Sequence, residues 1–352
     1  MTTLLALGSN GSGQLGLGHE EDTSTPTPVP KTFPGKITRL AAGGNHTLLL
    51  CEGRVFASGD DSDGRCGGED RDATASSGNF GEILPPSPTS GPWLDVAATW
   101  SASILSRADG SEVWVCGTGE SGELGLGDGV REAKRLTRMC EFPPEGRRVL
   151  QLAACMAHVV AVLDDGEVWA WGKGRKGQLG GARGDFWTPR RVDGVEFGVE
   201  GAVCGKDFTC LVGGPGEGEI CLLGAEGRDR FGLRAGAPGR VPGWKEVCAS
   251  WGSVFVMRGD GRVVAWGRDD HGQLAPQDLP PVKSLAAGSE HCLALTSDGK
   301  VLAWGWGEHG NCGKPTDEKG DVKGKWNELP LSGTVEGLFA GCATSFIAVA
   351  ES

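Results

Sequence analysis

The sequence predicts an all-β fold in which seven small sheets stand in a closed ring, and three observations support this prediction. First, a glycine that ends a short apolar segment occurs seven times, at intervals of 38 to 58 residues. Second, two short sequence patterns accompany every copy, as expected for a repeat architecture. Third, the last repeat is completed only by the first residues of the chain. The seven glycines are Gly8, Gly59, Gly117, Gly172, Gly224, Gly267 and Gly305.

Each repeat contains two strands joined by a tight turn. The pattern around the repeat glycine is clearest at residues 168–180 and 263–274, where Val-x-Ala-Trp-Gly leads to Gly-Gln-Leu. A second pattern precedes it and reads Ala-Ala-Gly-x-x-His at residues 41–46 and 286–291. Between the two patterns most repeats have an acidic residue followed by glycine, which favours a hairpin turn because glycine tolerates positive φ. These turns include Glu52-Gly53, Asp109-Gly110, Asp165-Gly166, Asp260-Gly261 and Asp298-Gly299.

The two ends of the chain supply the strands of one hairpin. The apolar segment 345–350 has no turn after it, and the segment that matches its missing partner is 3–8. Small sheets with unpaired edges are protected when they stack radially, and pairing of the first strand with the last closes the ring. We therefore predict a seven-bladed β-propeller with four strands per blade, closed by pairing of the N- and C-terminal strands in one blade.

Composition agrees with a single propeller domain that covers residues 1–352. Repeats of about fifty residues fill the chain, and 61 glycines supply its many turns. A formal net charge of -12 argues against direct binding of DNA by the surface as a whole. We expect neither a signal peptide nor a membrane span, because no apolar run approaches ~20 residues. The 12 cysteines include no Cys-x-x-Cys pair, so we expect reduced, unligated thiols in a cytoplasmic protein, with the nucleus as a second location.

No catalytic arrangement is visible. Residues 117–122, 172–177 and 305–310 match Gly-x-Gly-x-x-Gly, but no helix is predicted to follow, so we interpret these segments as tight turns. His46, His158 and His291 share one register, and ligands spread around a ring lie too far apart for one metal ion. We predict that each histidine is hydrogen-bonded within its own blade. The sequence therefore predicts a protein that is not an enzyme and binds no cofactor or metal.

Positive charge is concentrated in one part of the chain. Residues 131–191 contain 12 Lys and Arg but 7 Asp and Glu, although the whole chain is acidic. Two interpretations remain open: a solvated surface with an uneven distribution of charges, or a docking face for an acidic partner. The candidate partner-binding residues in this stretch are Lys173, Arg175, Lys176, Arg190 and Arg191.

Two tryptophans occupy a loop position where the other repeats have different residues. Trp100 and Trp251 stand just after the third residue of the Ala-Ala-Gly pattern, near one mouth of the ring. Tryptophan is enriched at interaction hot spots, so both are candidate partner-binding residues. The alternative is burial against a neighbouring loop. A different set, Trp171, Trp266 and Trp304, precedes the repeat glycine, and we expect these three to pack between blades.

The two linked patterns, repeated seven times, resemble the regulator of chromosome condensation repeat, whose family forms seven-bladed β-propellers. Within that family, the opening segment 7–22 is similar to the small fungal killer-toxin-insensitivity (α-tubulin suppressor) members. That resemblance implies a heterodimer with a small acidic metal-binding protein, a CSL-type zinc-finger protein of diphthamide synthesis. It also implies a role in Elongator-dependent modification of wobble uridines in tRNA.

A different function within the same family remains an alternative. The founding activity of the family is guanine-nucleotide exchange on a small nuclear GTPase. Such a protein would be expected to carry a basic N-terminal tail, whereas this sequence runs from Thr3 directly into an apolar strand. A third interpretation, the substrate-recruiting module of a ubiquitin ligase, lacks an attached catalytic domain in this sequence.

Overall fold

The computed structural model describes residues 2–72, 78–87, 91–225, 229 and 231–350, and these residues form 26 β-strands and no helix. The strands form seven sheets, each written below from its innermost strand outwards. Blade 1 consists of β3 (Ile37–Ala42), β4 (His46–Cys51), β5 (Arg54–Gly59) and β6 (Gly81–Ile83). Blade 2 consists of β7 (Trp93–Ala98), β8 (Ala102–Arg107), β9 (Val113–Thr118) and β10 (Glu132–Arg138). Blade 3 consists of β11 (Val149–Cys155), β12 (His158–Leu163), β13 (Val168–Lys173) and β14 (Asp185–Arg191).

The remaining blades follow in chain order. Blade 4 consists of β15 (Val199–Cys204), β16 (Phe208–Gly213) and β17 (Ile220–Gly224). Blade 5 consists of β18 (Trp244–Ala249), β19 (Ser253–Arg258) and β20 (Val263–Gly267). Blade 6 consists of β21 (Val282–Ala287), β22 (His291–Thr296), β23 (Val301–Trp306) and β24 (Asp321–Leu329). Blade 7 is β25 (Thr334–Ala340), β26 (Thr344–Ala350), β1 (Thr2–Gly8) and β2 (Thr23–Pro28).

The ring is closed, as the sequence predicted. The innermost strand of each blade contacts the innermost strand of the next, and β25 of blade 7 contacts β3 of blade 1. In blade 7, β1 pairs antiparallel with β26 along its whole length, from Thr2 opposite Ala350 to Gly8 opposite Thr344. The prediction of an all-β, seven-bladed β-propeller with the two terminal strands in one blade is therefore confirmed.

The predicted four strands per blade are found in five blades, and the prediction is wrong for the described residues of blades 4 and 5. These two blades end at β17 and β20. In blade 4 only an isolated bridge, between Glu219 and Arg240, lies beside the third strand. The physical reason is length, because the segments after Gly224 and Gly267 are the shortest of the seven. A short connection leaves too few residues to run back along the blade as a fourth strand.

Apolar side chains on both faces of each sheet pack against the neighbouring blades. Trp171 and Trp304 are fully buried and Trp266 is almost so, which agrees with the prediction that these residues pack between blades. The repeat glycine beside them is required by the backbone. Gly59 has a φ of 114°, and a Cβ there would lie 2.2 Å from the carbonyl oxygen of Asn45. A side chain at this position would therefore collide with the preceding loop.

The buried histidines hydrogen-bond to the next blade, so the prediction of bonds within one blade is wrong. The Nε2 atoms of His46, His158 and His291 lie 3.1, 3.1 and 2.9 Å from the hydroxyls of Ser103, Thr209 and Ser345. Each hydroxyl donates its proton to a backbone carbonyl of the blade that carries the histidine. It must therefore accept from Nε2–H, which defines the histidine tautomer. Among the described residues, no group of three His, Cys, Asp or Glu side chains could hold a metal ion.

The cysteines carry no disulfide and most lie inside the blades. Burial raises the pKa of Cys116 and of Cys204 to about 12, so both remain protonated thiols near neutral pH. No described segment is a helix of the length and apolar character that would span a bilayer.

Candidate binding site at the mouth of the central channel

The innermost strands surround a central channel of about 640 Å³. Its wall is formed largely by small side chains that occupy one repeat position, such as Ala41, Ala97, Ala153 and Ala286. At one end of the channel lie the seven loops that join the first strand of each blade to the second. We call them the mouth loops; they are residues 43–45, 99–101, 156–157, 205–207, 250–252, 288–290 and 341–343.

Backbone hydrogen bonds connect the mouth loops around the ring. In each bond an amide of one loop donates to a carbonyl of the loop of the next blade, with nitrogen–oxygen distances of 2.7 to 2.9 Å. The bonds are Gly44 to Trp100, Trp100 to Met156, Lys206 to Trp251, Trp251 to Ser289 and Ser289 to Gly341. These bonds place the backbone of both candidate tryptophans in a fixed position, so a partner would meet a preformed surface.

Trp100 and Trp251 come together across the channel mouth. They belong to blades 2 and 5, on opposite sides of the ring, yet their ring centroids are 6.3 Å apart with planes inclined at 45°. Trp100 is 41% exposed, and Trp251 is half-buried. Residue 44 must be small, because a Cβ on Gly44 would lie 2.5 Å from the Trp100 ring. The two rings therefore form an aromatic bridge over the channel that remains open to solvent.

One lysine contacts this aromatic bridge, and two more lie on the same face of the propeller. The ammonium of Lys206 lies 5.6 Å from the ring centroid of Trp251, within range of a cation–π interaction. Lys173 and Lys176 lie at the same face of the ring, at and just beyond the end of β13 in the adjacent blade 3. In the described part of the chain, none of the three lysines takes part in a salt bridge. Their charges are available to an acidic surface.

The three arginines among the sequence candidates are placed differently. Arg175 donates to the Asp185 carboxylate, with Nε 3.0 Å from Oδ1. Arg190 donates to backbone carbonyls of residues 179–182 and lies over the Phe186 ring at 3.7 Å. Both guanidinium groups are therefore already bound by the protein itself.

Arg191 lies at the other end of its blade. It pairs with Glu167 at 3.2 Å, and the strand register puts it opposite Trp169, whereas Lys173 is opposite Asp185. Arg191 is thus far along β14 from the mouth face. The seven sequence candidates do not share one surface; the structure brings together Trp100 and Trp251, with Lys173, Lys176 and the paired Arg175 between them in sequence on the same face.

The excess of positive charge in residues 131–191 is largely balanced by carboxylates from outside that stretch. Arg131 pairs with Glu120, Arg135 with Glu69, and Arg138 with Glu112, at 3.2 to 3.3 Å. Surface pairs of this kind add little stability, but they neutralise the local charge. For these three arginines the ion pairs favour the solvated-surface interpretation of the stretch.

Lys206 was not among the candidate partner-binding residues predicted from the sequence, although its position in the repeat could have indicated it. It occupies the same position of the repeat as Trp100 and Trp251. Only the structure shows that the rings meet and that this lysine lies over one of them.

Comparison with known proteins identifies the family. Residues 3–347 match the model of the RCC1-like domain. An RCC1 repeat-containing protein of Schizosaccharomyces pombe is 31% identical, over 99% of both chains. A secretion-regulating guanine nucleotide exchange factor of Mus musculus is 29% identical over 79% of this chain and 62% of its own length. The crystal structure of Prp20p from Saccharomyces cerevisiae superposes with a TM-score of 0.84 at 22% identity, covering all of this chain and 92% of Prp20p. The chain belongs to the RCC1-like family of β-propellers.

Proposed function

We propose that the protein is a non-enzymatic scaffold that binds a partner protein at the mouth of its channel. The observation that carries this proposal is the aromatic bridge of Trp100 and Trp251, which is preformed and solvent-accessible and is contacted by Lys206. Exposed tryptophans in a rigid setting are typical interaction anchors, because they bury a large area at a small entropic cost. Unpaired charges around such an anchor mainly increase the association rate and the specificity.

The partner in this proposal is a small acidic protein with a CSL-type zinc-finger fold and a bound metal. Lys173, Lys176 and Lys206 form no salt bridge with any described residue and would complement an acidic surface. The opening segment 7–22 supports the same partner through its resemblance to the killer-toxin-insensitivity members. The heterodimer would support diphthamide synthesis on elongation factor two and Elongator-dependent tRNA modification, in the cytoplasm and the nucleus. The propeller's role would be to hold, shield and present the metal protein.

The proposal is tested by surface plasmon resonance with the purified zinc-finger protein and three variants. Trp100→Ala and Trp251→Ala are expected to accelerate dissociation. Each should weaken the binding free energy by on the order of 2 kcal/mol if the tryptophan is an anchor. Leu150→Ala is the matched control, because Leu150 is 57% exposed but lies near the start of β11, away from the mouth loops. No binding by the wild type, or equal binding by all variants, would reject the proposal.

Guanine-nucleotide exchange on a small GTPase is a second candidate function. The observation in its favour is the 29% identity with a secretion-regulating guanine nucleotide exchange factor. Release of a labelled guanine nucleotide from a small nuclear GTPase, measured with and without the protein, separates the two candidates. Accelerated release would support exchange activity, and unchanged release together with binding of the zinc-finger protein would support the scaffold.

A further inference from the structure

Blade 5 has a third strand whose outer edge is not paired by any described residue. Its sheet ends at β20. The amide of Arg258 donates to the carbonyl of Arg262 across the β19–β20 turn. Antiparallel pairing alternates, so Val264 and Trp266 also bond to β19. The backbone groups of Val263, Ala265 and Gly267 therefore point outwards, and no described residue bonds to them.

The side chains of this strand are also less covered than those of its counterpart in blade 6. Val263, Val264 and Ala265 are all partly exposed, whereas residues 301–303 at the equivalent positions are buried. Blade 6 differs by having the fourth strand β24, which pairs with β23. The outer edge of β20 is therefore exposed, as expected for a strand that lacks a neighbouring strand.

Four of the four-stranded blades share an ion pair that defines what the missing strand should carry. In each, the residue five positions before the repeat glycine pairs with an oppositely charged residue on the fourth strand. That partner always lies opposite the residue two positions further along the third strand. The pairs are Arg54 with Glu82, Glu112 with Arg138, Glu167 with Arg191, and Lys300 with Glu328.

Arg262 occupies this position in blade 5 and has no such partner. Its side chain is exposed, and in the part of the chain that the structure describes its guanidinium makes neither a salt bridge nor a hydrogen bond. In the other four blades the partner lies opposite the residue two positions further along the third strand. The equivalent partner of Arg262 would therefore be a carboxylate opposite Val264. The loop after β20 is too short to supply that strand from within the chain.

We propose that blade 5 is completed by an extended segment of another protein, which adds antiparallel to β20 and places an Asp or Glu opposite Val264. The backbone groups of Val263, Ala265 and Gly267 would supply the hydrogen bonds, and Arg262 would select the acidic residue. This surface lies on the outer rim of the ring, distinct from the mouth loops. The protein therefore has a second binding site, which recognises an acidic peptide strand.

A second copy of this chain is a poorer occupant. Edge-to-edge pairing of two β20 strands would bring together two segments of Val-Val-Ala-Trp-Gly, which hold no acidic residue. In an antiparallel arrangement centred on Ala265, Arg262 of one copy would face Arg268 of the other. Arg268 already pairs with Asp270 and Glu290, and the residue of the second copy that would face Val264 is Trp266, so Arg262 would again lack its carboxylate.

The probe for this proposal is a fluorescent peptide of residues 321–330, the sequence that forms β24 in blade 6 and carries Glu328. It suits β20 because β20 and β23 are similar in sequence. We expect saturable binding by fluorescence anisotropy with the full-length protein. Arg262→Glu should weaken binding about two- to fivefold, as expected for an exposed ion pair. A peptide that carries Glu328→Lys should bind the Arg262→Glu protein about as tightly as the original peptide binds the wild type, because the two charges are exchanged.

Ala265→Pro tests the backbone bonds directly. Proline removes the outward N–H of residue 265 and is tolerated on strand edges, so the variant should melt like the wild type but not bind the peptide. Hydrogen exchange should show new protection of the Ala265 and Gly267 amides upon binding. Peptide binding unaffected by Ala265→Pro, or no binding to the wild type, would overturn the proposal. So would a wild-type dimer in sedimentation that Ala265→Pro converts to a monomer, because the occupant would then be a second copy.

Discussion

The three buried histidines are neutral because protein surrounds them on all sides. Burial lowers the pKa of His46 to about 3, and those of His158 and His291 to about 4. Each imidazole joins two blades through the hydroxyl that accepts its Nε2–H. A single repeat position thus contributes to contacts between blades, and its effect on stability depends on pH.

Acidification is expected to destabilise the protein through these histidines. The unfolded chain binds protons at its histidines near pH 6.5, whereas the folded pKa values lie at 3 to 4. Their contribution is therefore complete above pH 6.5 and is lost as the pH falls towards 4, by on the order of 3 kcal/mol per histidine. Urea unfolding at pH 7, 5.5 and 4.5 measures this loss.

His158→Gln should be less stable than the wild type at pH 7 but should lose less stability upon acidification. His19→Gln serves as the control, because His19 is exposed. Parallel pH profiles for the wild type and His158→Gln would contradict the assignment of this effect to the buried histidine.

The tryptophans before the repeat glycine are not equivalent. The indole nitrogens of Trp171 and Trp304 donate to the carbonyls of Glu123 and Gln273 in the preceding blade, at 2.9 and 3.0 Å. The indole nitrogen of Trp266 is buried and has no hydrogen-bond partner among the described residues. The blade before Trp266 is blade 4, where the Gly-Gln-Leu pattern is absent.

Replacement by phenylalanine should therefore destabilise the protein more at position 171 than at position 266. Both changes leave a smaller ring, but only Trp171→Phe removes a buried hydrogen bond and leaves the Glu123 carbonyl without this donor. We expect a difference of about 1–2 kcal/mol in the free energy of unfolding. Denaturant titration of the two variants measures it, and an equal loss would show that ring size alone decides the effect.

At the scale of elements, outer strands differ between blades far more than inner strands do. In blade 7 the outer strand β2 contains Pro26 and Pro28, which cannot donate to a further strand and so discourage pairing beyond it. β20 has no proline, and no described residues form a fourth strand beside it. The mouth loops, in contrast, are held by one pattern of backbone bonds, and their variation lies in the side chains that they expose.

Charge reversal on the mouth face should slow association with an acidic partner. The triple variant Lys173→Glu, Lys176→Glu and Lys206→Glu changes three residues without salt bridges among the described residues, so its fold should remain intact. Added salt should slow the association of the wild type, because it screens the electrostatic attraction between the two proteins. The association of the variant should depend much less on salt. Surface plasmon resonance at two ionic strengths measures both rates.

Arg191→Glu is the matched control for that experiment. It reverses a charge in blade 3, but Arg191 lies away from the mouth face and pairs with Glu167. An equal reduction of the association rate in the control would mean that the overall charge of the protein is responsible, and not the lysines at the mouth.

For the whole molecule, closure of the ring depends on one strand. β1 is hydrogen-bonded on both sides, to β26 and to β2, and Leu4, Ala6 and Leu7 on it are fully buried. Every other blade is formed by a continuous segment of the chain. Blade 7 is the only described sheet that joins residues from both ends of the sequence.

Deleting residues 2–7 should open the ring and strongly lower the melting temperature. The deletion exposes the edges of β26 and β2 and removes buried side chains from two of the apolar clusters. Differential scanning calorimetry and limited proteolysis should show a loss that a substitution on an outer loop, such as Leu84→Ala, does not cause. A truncated protein that melts like the wild type would show that closure by β1 contributes little.

The ring, its seven repeats and its closure were predictable from the sequence, because each follows from the spacing of short local patterns. The lengths after Gly224 and Gly267 also contained the signal for blades without a fourth strand. Contacts between distant positions were not predictable in this way. The hydroxyl that each histidine meets lies 51 to 57 residues away, and Trp100 meets Trp251 from the opposite side of the ring.

Which charges remain unpaired was also decided only by the folded chain. The sequence places 12 basic residues in one stretch, but the folded chain brings carboxylates of the same blade to Arg131 and Arg138 and one of the preceding blade to Arg135. Among the described residues, no carboxylate pairs with Lys173 or Lys176. The same applies to Arg262: the equivalent Lys300 of blade 6 pairs with Glu328, whereas Arg262 pairs with no carboxylate in the part of the chain that the structure describes. Repetition in the sequence determines the scaffold, because strands and turns form from local residues. The two proposed binding surfaces lie where blades meet or end, and the contacts that form them depend on the closed ring.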